Sequence, residues 1–115
     1  MILSWKDASA DELRLLEIIS KLLDHNEQLL GFIFEATQPK LRKRAGVLKE
    51  DSWKFNNDEA LLVRVALDFW SGSGHVQLWE LIETWHADDW RRFTQIVMEL
   101  GHLGKTIPSP SPAKA

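Results

Sequence analysis

Three stretches of this chain carry residue types that do chemistry at suggestive spacings. Residues 71–75 read Ser-Gly-Ser-Gly-His, two hydroxyls and an imidazole set among residues that free the backbone. A P-loop needs Gly-x-x-x-x-Gly-Lys-Ser/Thr after a strand, so that backbone N–H groups and a lysine surround phosphate. Here no lysine is near, and the residues before Ser71 have a helical pattern. A nucleophile elbow needs Gly-x-Ser-x-Gly after a strand, whereas the spacing here is Gly-Ser-Gly. No acid stands beside Ser73 or His75 in sequence to orient a base. The stretch therefore reads as an interhelical turn made of the residues turns require.

The other two stretches are Glu83-Thr84-Trp85-His86 and Glu99-Leu100-Gly101-His102. Paired Glu-x-x-His motifs hold two metals in some helical bundles, provided that both pairs converge on one point. These two fall at the C-terminal ends of consecutive helical patterns. Along the last helix His86 and Glu99 would stand ~20 Å apart at 1.5 Å per residue, against the roughly 3.5 to 4 Å of a two-metal site. The second pair also straddles a glycine that reads as a helix end. His25, on the flank of the first helix, reads as a solvent-exposed or satisfied histidine. With no cysteine, thiolate sites and disulfides drop out. No nucleophile, base and oxyanion donor come together, so the expectation is a non-enzymatic chain without metal or cofactor.

Composition sets the frame for that chain. A length of 115 residues fits one domain able to bury a single core, and 44% hydrophobic with 27% charged residues is ordinary for a soluble globule. The N-terminus lacks a basic region followed by an apolar run, and no window approaches a membrane span, so a cytosolic location is expected. The net charge of −3 is unevenly placed. Residues 40–49, KLRKRAGVLK, hold five Lys and Arg and no acid, while the remainder carries nine bases against 17 acids. An acidic body is a poor match to nucleic acid, although a short basic stretch can still make local phosphate contacts. Tryptophan is the remaining anomaly: six in all, with Trp70, Trp79, Trp85 and Trp90 close together, and no tyrosine.

The elements that must position these residues are all helical. Ser9 and Glu12 form a capping box. After it, Leu15, Leu22 and Leu29, and Leu16, Leu23 and Leu30, recur seven apart, with Ile19 and Ile33 in a third column interrupted by Asn26. The pattern predicts a long first helix over 9–37, stopped by Pro39, about 42 Å long over 10–37. A bend near Asp24 to Asn26 would instead fold its halves back into a compact monomer. Residues 38–57 read as a basic connection with at most a short helical turn. A second helix, capped by Asn56 or Asn57, is apolar around most of its circumference except for Arg64 and Asp68, and belongs in the centre of the fold. Gly72 would end it in the left-handed region, and Ser73 would cap the next helix. There Leu78, Leu81, Ile82 and Trp85 share a face. A turn at 86–89 leads to a last helix with the stripe Trp90, Phe93, Ile96, Val97 and Leu100, ended by Gly101. The architecture expected is a long N-terminal helix packed on a helix-turn-helix-like three-helix unit at 58–101, in a single domain over 1–104. A disordered Pro/Ser tail at 105–115 would follow.

Two functions from different classes follow from this frame. The first is a protein-interaction or regulatory module, homodimeric through the first helix, whose apolar stripe overhangs what shorter helices can cover. Leu16, Ile19, Leu23, Asn26, Leu30 and Ile33 would form the seam, Asn26 setting register as polar seam residues do in coiled coils. Phe32 widens the stripe, and Trp79, off the inward face of its helix, is a further anchor. The alternative is a helix-turn-helix nucleic-acid binder using Arg91 and Arg92 on the last helix with Lys40, Arg42, Lys43 and Arg44. The acids Asp88 and Asp89, just ahead of Arg91, weaken it.

Overall fold

The Ser9 and Glu12 capping box forms as its spacing predicts. Glu12 N–H donates to the Ser9 hydroxyl and Ser9 N–H to the Glu12 carboxylate, opening helix α1, Ala10–Leu22. The computed structural model describes residues 3–106, with side chains as far as Glu99. The expected long helix is two helices. At its C-terminal end Asp24 N–H donates to Lys21 O and His25 N–H to Ser20 O, the paired bonds of a Schellman motif. Asp24 and His25 both take left-handed φ, 55° and 56°. The chain then restarts as α2, Glu27–Ile33, where the Asn26 side chain accepts the Leu29 N–H as an N-cap. Asn26 is thus a cap and not a seam residue. The break falls at residues 23–26, where the bent alternative puts it.

Residues 34–42 close a small loop. Phe34 and Leu41 form an isolated antiparallel bridge, and Arg42 N–H returns to Ile33 O. The N-terminal segment lies alongside, with Ser4 N–H on Ala36 O, Lys6 N–H on Thr37 O, and the Trp5 indole N–H on Glu35 O. The basic connection is more ordered than its lost periodicity suggests. It holds α3, Ala45–Asp51, and a 3-10 turn, Ser52–Lys54. Helix α4, Asn57–Ser71, begins at the Asn56 cap and ends at Gly72 with φ 69°, both as expected.

α4 is the central element. It touches α1, α2, α3, the 3-10 turn and α5, and Leu61, Leu62, Val63, Val65, Ala66 and Leu67 on it are buried. A helix apolar nearly all round reaches this position because every side must be covered. α5, Leu78–Thr84, is shorter than its pattern and starts past Ser73, whose hydroxyl pairs with that of Ser71 instead of capping a helix. α6, Ala87–Thr106, follows after two residues and runs through Gly101. Glycine lowers helix stability by only about 1 kcal/mol, and the first following proline, Pro108, is seven residues on. Residues 107–115 of the expected tail lie outside the described residues. Among the described residues the architecture is all-helical, with no helix long and apolar enough to cross a membrane.

Two aromatic clusters join the layers. Trp5, Phe34 and Trp70 meet edge to face at 5.0 to 5.6 Å, linking the N-terminal segment, the 34–42 loop and α4. The second joins α4, the α5–α6 junction and α6: Phe69 stacks on Phe93 at 5.9 Å, and Trp85, Trp90 and Phe93 meet edge to face at 5.2 to 6.0 Å.

Candidate functional site

The seam proposed for the first helix is inside the protein. Leu16, Ile19, Leu23, Leu30 and Ile33 are all buried, Ile19 and Ile33 completely. Because the helix breaks at residues 23–26, α1 packs against both α6 and α4 and α2 against α4, and these five side chains are covered within one chain. Phe32 is half-buried, edge to face with Phe55. Of the residues singled out for partner contact, only Trp79 is open to solvent, with 64% of its surface exposed.

Trp79 is not alone. Leu78 and Ile82 on the same helix are exposed too, by 68% and 55%. At ~100° per residue the three lie within about 100° of arc on the outer face of α5. The sequence pattern grouped Leu78 and Ile82 with Leu81 and Trp85 as an inward face, but only Leu81 and Trp85 are buried. α5 has seven residues, and Trp85 has already left the helix with extended backbone, ψ 144°. Leu81 alone therefore anchors its inner side.

What holds so short a helix in place is the polar strip of α4. The Asp68 carboxylate accepts the N–H groups of Gly74, His75 and Val76 at 2.8, 3.0 and 3.1 Å. Arg64 donates to the carbonyls of Gly74 and His75 and to the carboxylate of Glu80. Glu80 in turn accepts the Gln77 N–H that opens α5. The Arg64 guanidinium, first, and the Gln77 N–H, second, hold the Glu80 carboxyl below its ordinary range. Gly74 is required for the approach, since a Cβ there would run into the Arg64 carbonyl. The Ser-Gly-Ser-Gly-His stretch is thus a turn, as read, but one clamped to the central helix. The apolar triad is carried on a fixed platform, which lowers the ordering cost of any contact it makes.

The basic residues separate into two groups. Arg91 pairs with Asp88 at 3.0 Å and Arg92 with Asp89 at 2.7 Å on the first turn of α6, so the acids that precede them occupy their guanidinium groups. Lys43 pairs with Asp51. Lys40, Arg42 and Arg44 are exposed. Of the Glu-x-x-His pairs, Glu99 is bound to Lys21 of α1 at 3.2 Å, and the His102 side chain lies outside those described. His25 bonds the buried Ser20 hydroxyl through Nδ1 at 3.0 Å, a satisfied histidine.

A separate open cleft of about 730 Å³ lies between the 34–42 loop, α2 and the 3-10 turn, with Arg42 and Lys54 among its lining residues. No sequence pattern marked it, because its residues come from four segments spread over more than 50 positions. Comparison with family models, curated proteins and solved structures finds no match to this chain.

Proposed function

We propose that this protein is a non-enzymatic interaction module whose contact surface is the outer face of α5. The observation that carries the reading is the exposure of Leu78, Trp79 and Ile82 together on a helix fixed by Arg64 and Asp68. Trp ranks first among residues that dominate interface energy when they enter a partner's pocket, and here one stands beside two aliphatic neighbours. The occupant proposed is a second copy. A two-fold contact pairs one patch with itself, so Trp79 of each copy covers Leu78 and Ile82 of the other. Three side chains supply less than the ~800 Å² per partner of a standard interface, so the dimer is a weak, concentration-dependent one. Sedimentation from micromolar to several hundred micromolar tests it. The native chain should shift from monomer to dimer, and Trp79→Glu should stay monomeric with an unchanged circular dichroism spectrum. A native chain that sediments as a monomer throughout overturns the reading.

A nucleic-acid reading is second, favoured by one observation: Lys40, Arg42 and Arg44 are exposed and have no carboxylate partner among the described residues. It draws its phosphate contacts from the 40–44 loop, since Arg91 and Arg92 are engaged. Such binding to duplex DNA would fall steeply with salt. A mobility assay at low salt that shows no shift disposes of it.

A further inference from the structure

We infer that the cleft between α2, the 34–42 loop and the 3-10 turn is a binding site for a small aromatic monoanion. Its volume of about 730 Å³ lies within the range of small-molecule pockets, roughly 300 to 1,000 Å³, which are mostly apolar with a few polar groups that fix orientation. Leu3, Phe32, Phe34 and Phe55 form the apolar lining, and of these Phe32 and Phe55 are partly open to solvent while Leu3 and Phe34 are buried. Phe32 and Phe55 meet edge to face, 5.0 Å between centroids, and both are only half-buried, which leaves ring surface for a flat ligand to stack on. The polar groups are mainly cationic. Lys54 holds its ammonium 4.9 Å from the Phe32 centroid and 5.6 Å from that of Phe55, and has no carboxylate partner among the described residues. Arg42, at the end of the 34–42 loop, is exposed and also lines the cleft. One acid, Glu27, also lines the cleft, so two cations stand against one anion.

These features specify the ligand's chemistry. A cation resting on an aromatic face is attracted by the ring by about 0.5–1 kcal/mol where exposed, and it keeps donors free for an anion. Arginine adds a planar fork suited to carboxylate or phosphate. A ring laid on the part of Phe32 and Phe55 that faces solvent, with an anionic head toward Arg42 and Lys54, satisfies both halves of the lining. The site shares no residue with the outer face of α5, so it stands or falls separately from the dimer.

The test uses the monoanions 1-naphthoate and 1-naphthalenesulfonate and the uncharged 1-naphthalenemethanol, titrated into the labelled full chain and followed by backbone amide shifts. Saturable shifts of Gly31, Phe32, Lys54 and Phe55 are expected with both anions, and binding of the alcohol about tenfold weaker, the factor that ~1.4 kcal/mol of charge-assisted bonding supplies. The ratio of the two anions identifies the preferred head group. The Arg42→Gln/Lys54→Gln variant, altered only at exposed positions, should lose about tenfold for the anions and nothing for the alcohol. The inference is overturned if those amides do not shift, if the alcohol binds as well as naphthoate, or if the shifts fall on residues 78–82 instead.

Discussion

Arg64 and Asp68 stand one turn apart on α4 and grip the same turn of chain from its two chemical sides. The carboxylate collects three N–H groups of residues 74–76 and the guanidinium takes two carbonyls of residues 74 and 75. On a helix otherwise surrounded by apolar packing, these two side chains act as backbone partners for a segment that has no regular structure of its own. A hydrogen bond to a charged group contributes ~1.5–3 kcal/mol. Asp68 is half-buried, so water replaces part of what is lost on its removal. Asp68→Ala should lower stability by about 2–4 kcal/mol in denaturant unfolding, and Asp68→Asn, which keeps one acceptor oxygen, by less.

Glycines 74 and 46 should respond in opposite directions. Gly74→Ala drives a methyl into the Arg64 carbonyl, and the turn must move off α4, at a cost of 2 kcal/mol or more on the scale of ~1–3 kcal/mol for overpacking. Gly46 lies in α3 with open space around its would-be Cβ, so Gly46→Ala should stabilise by about 0.5–1 kcal/mol. Thermal unfolding of the two variants beside the native chain reads both signs.

The break between α1 and α2 makes its own prediction. Asp24 occupies, at φ 55°, the position that glycine usually takes in a Schellman motif. Asp24→Gly should therefore raise stability by a few tenths to 1 kcal/mol, the left-handed strain outweighing glycine's extra chain entropy. Asn26→Ala, which removes the α2 cap, should cost about 1 kcal/mol. Leu23→Glu offers a sharper contrast. At an intersubunit seam it would yield a folded monomer, but at a buried core position it should unfold the chain, as seen in the loss of its helical circular dichroism.

Acid should act through Glu80. Its folded-state pKa lies below the ordinary glutamate value because Arg64 and the Gln77 N–H favour the charged form. A group depressed in this way stabilises the fold above its unfolded pKa and loses that contribution as pH falls through the folded one. The native chain should thus lose more stability than Glu80→Gln between the ordinary glutamate pKa and the lowered value, and the two should run parallel at neutral pH. Urea titrations at stepped pH measure the difference.

Tryptophan emission reports the surface directly. Trp53 and Trp79 are exposed by 79% and 64%, whereas Trp85 is buried and Trp5, Trp70 and Trp90 are half-buried. The Trp53→Phe/Trp79→Phe variant should lose most of the iodide-quenchable fluorescence and keep a blue-shifted remainder. If the α5 face pairs two copies, quenching of Trp79 in the single Trp53→Phe background should fall as protein concentration rises.

What could be read from residues alone was whatever local chemistry enforces. The Ser9, Glu12 and Asn56 caps and the left-handed Gly72 are dictated by side chains within a few positions, and each is where its pattern puts it. The break after Leu22 was marked only by Asn26 in the apolar column, enough to admit a bend as the alternative but not to choose it. Its left-handed residues are an aspartate and a histidine, and the heptad columns of leucines run through it because both halves bury their stripes in one core. α3 was hidden by a run of charges whose solvated faces carry no period. The outer face of α5 was misassigned in part because a helical wheel groups apolar residues but does not say how long the helix is. Trp79 was legible, since it fell off any inward stripe. The platform beneath it was not, since it depends on Arg64 and Asp68 reaching residues six to 16 positions away.

The Trp5 ring has Phe34 and Trp70 as neighbours, which sets an order for assembly on the ribosome. Residues 3–6 can pair with the 34–37 loop once it is made, but Trp70 comes about 33 residues after Thr37. At ~5–20 residues per second that is a wait of roughly 2 to 7 s. Over that interval Trp5 has only one of its two aromatic neighbours, and the end of α4 supplies the other.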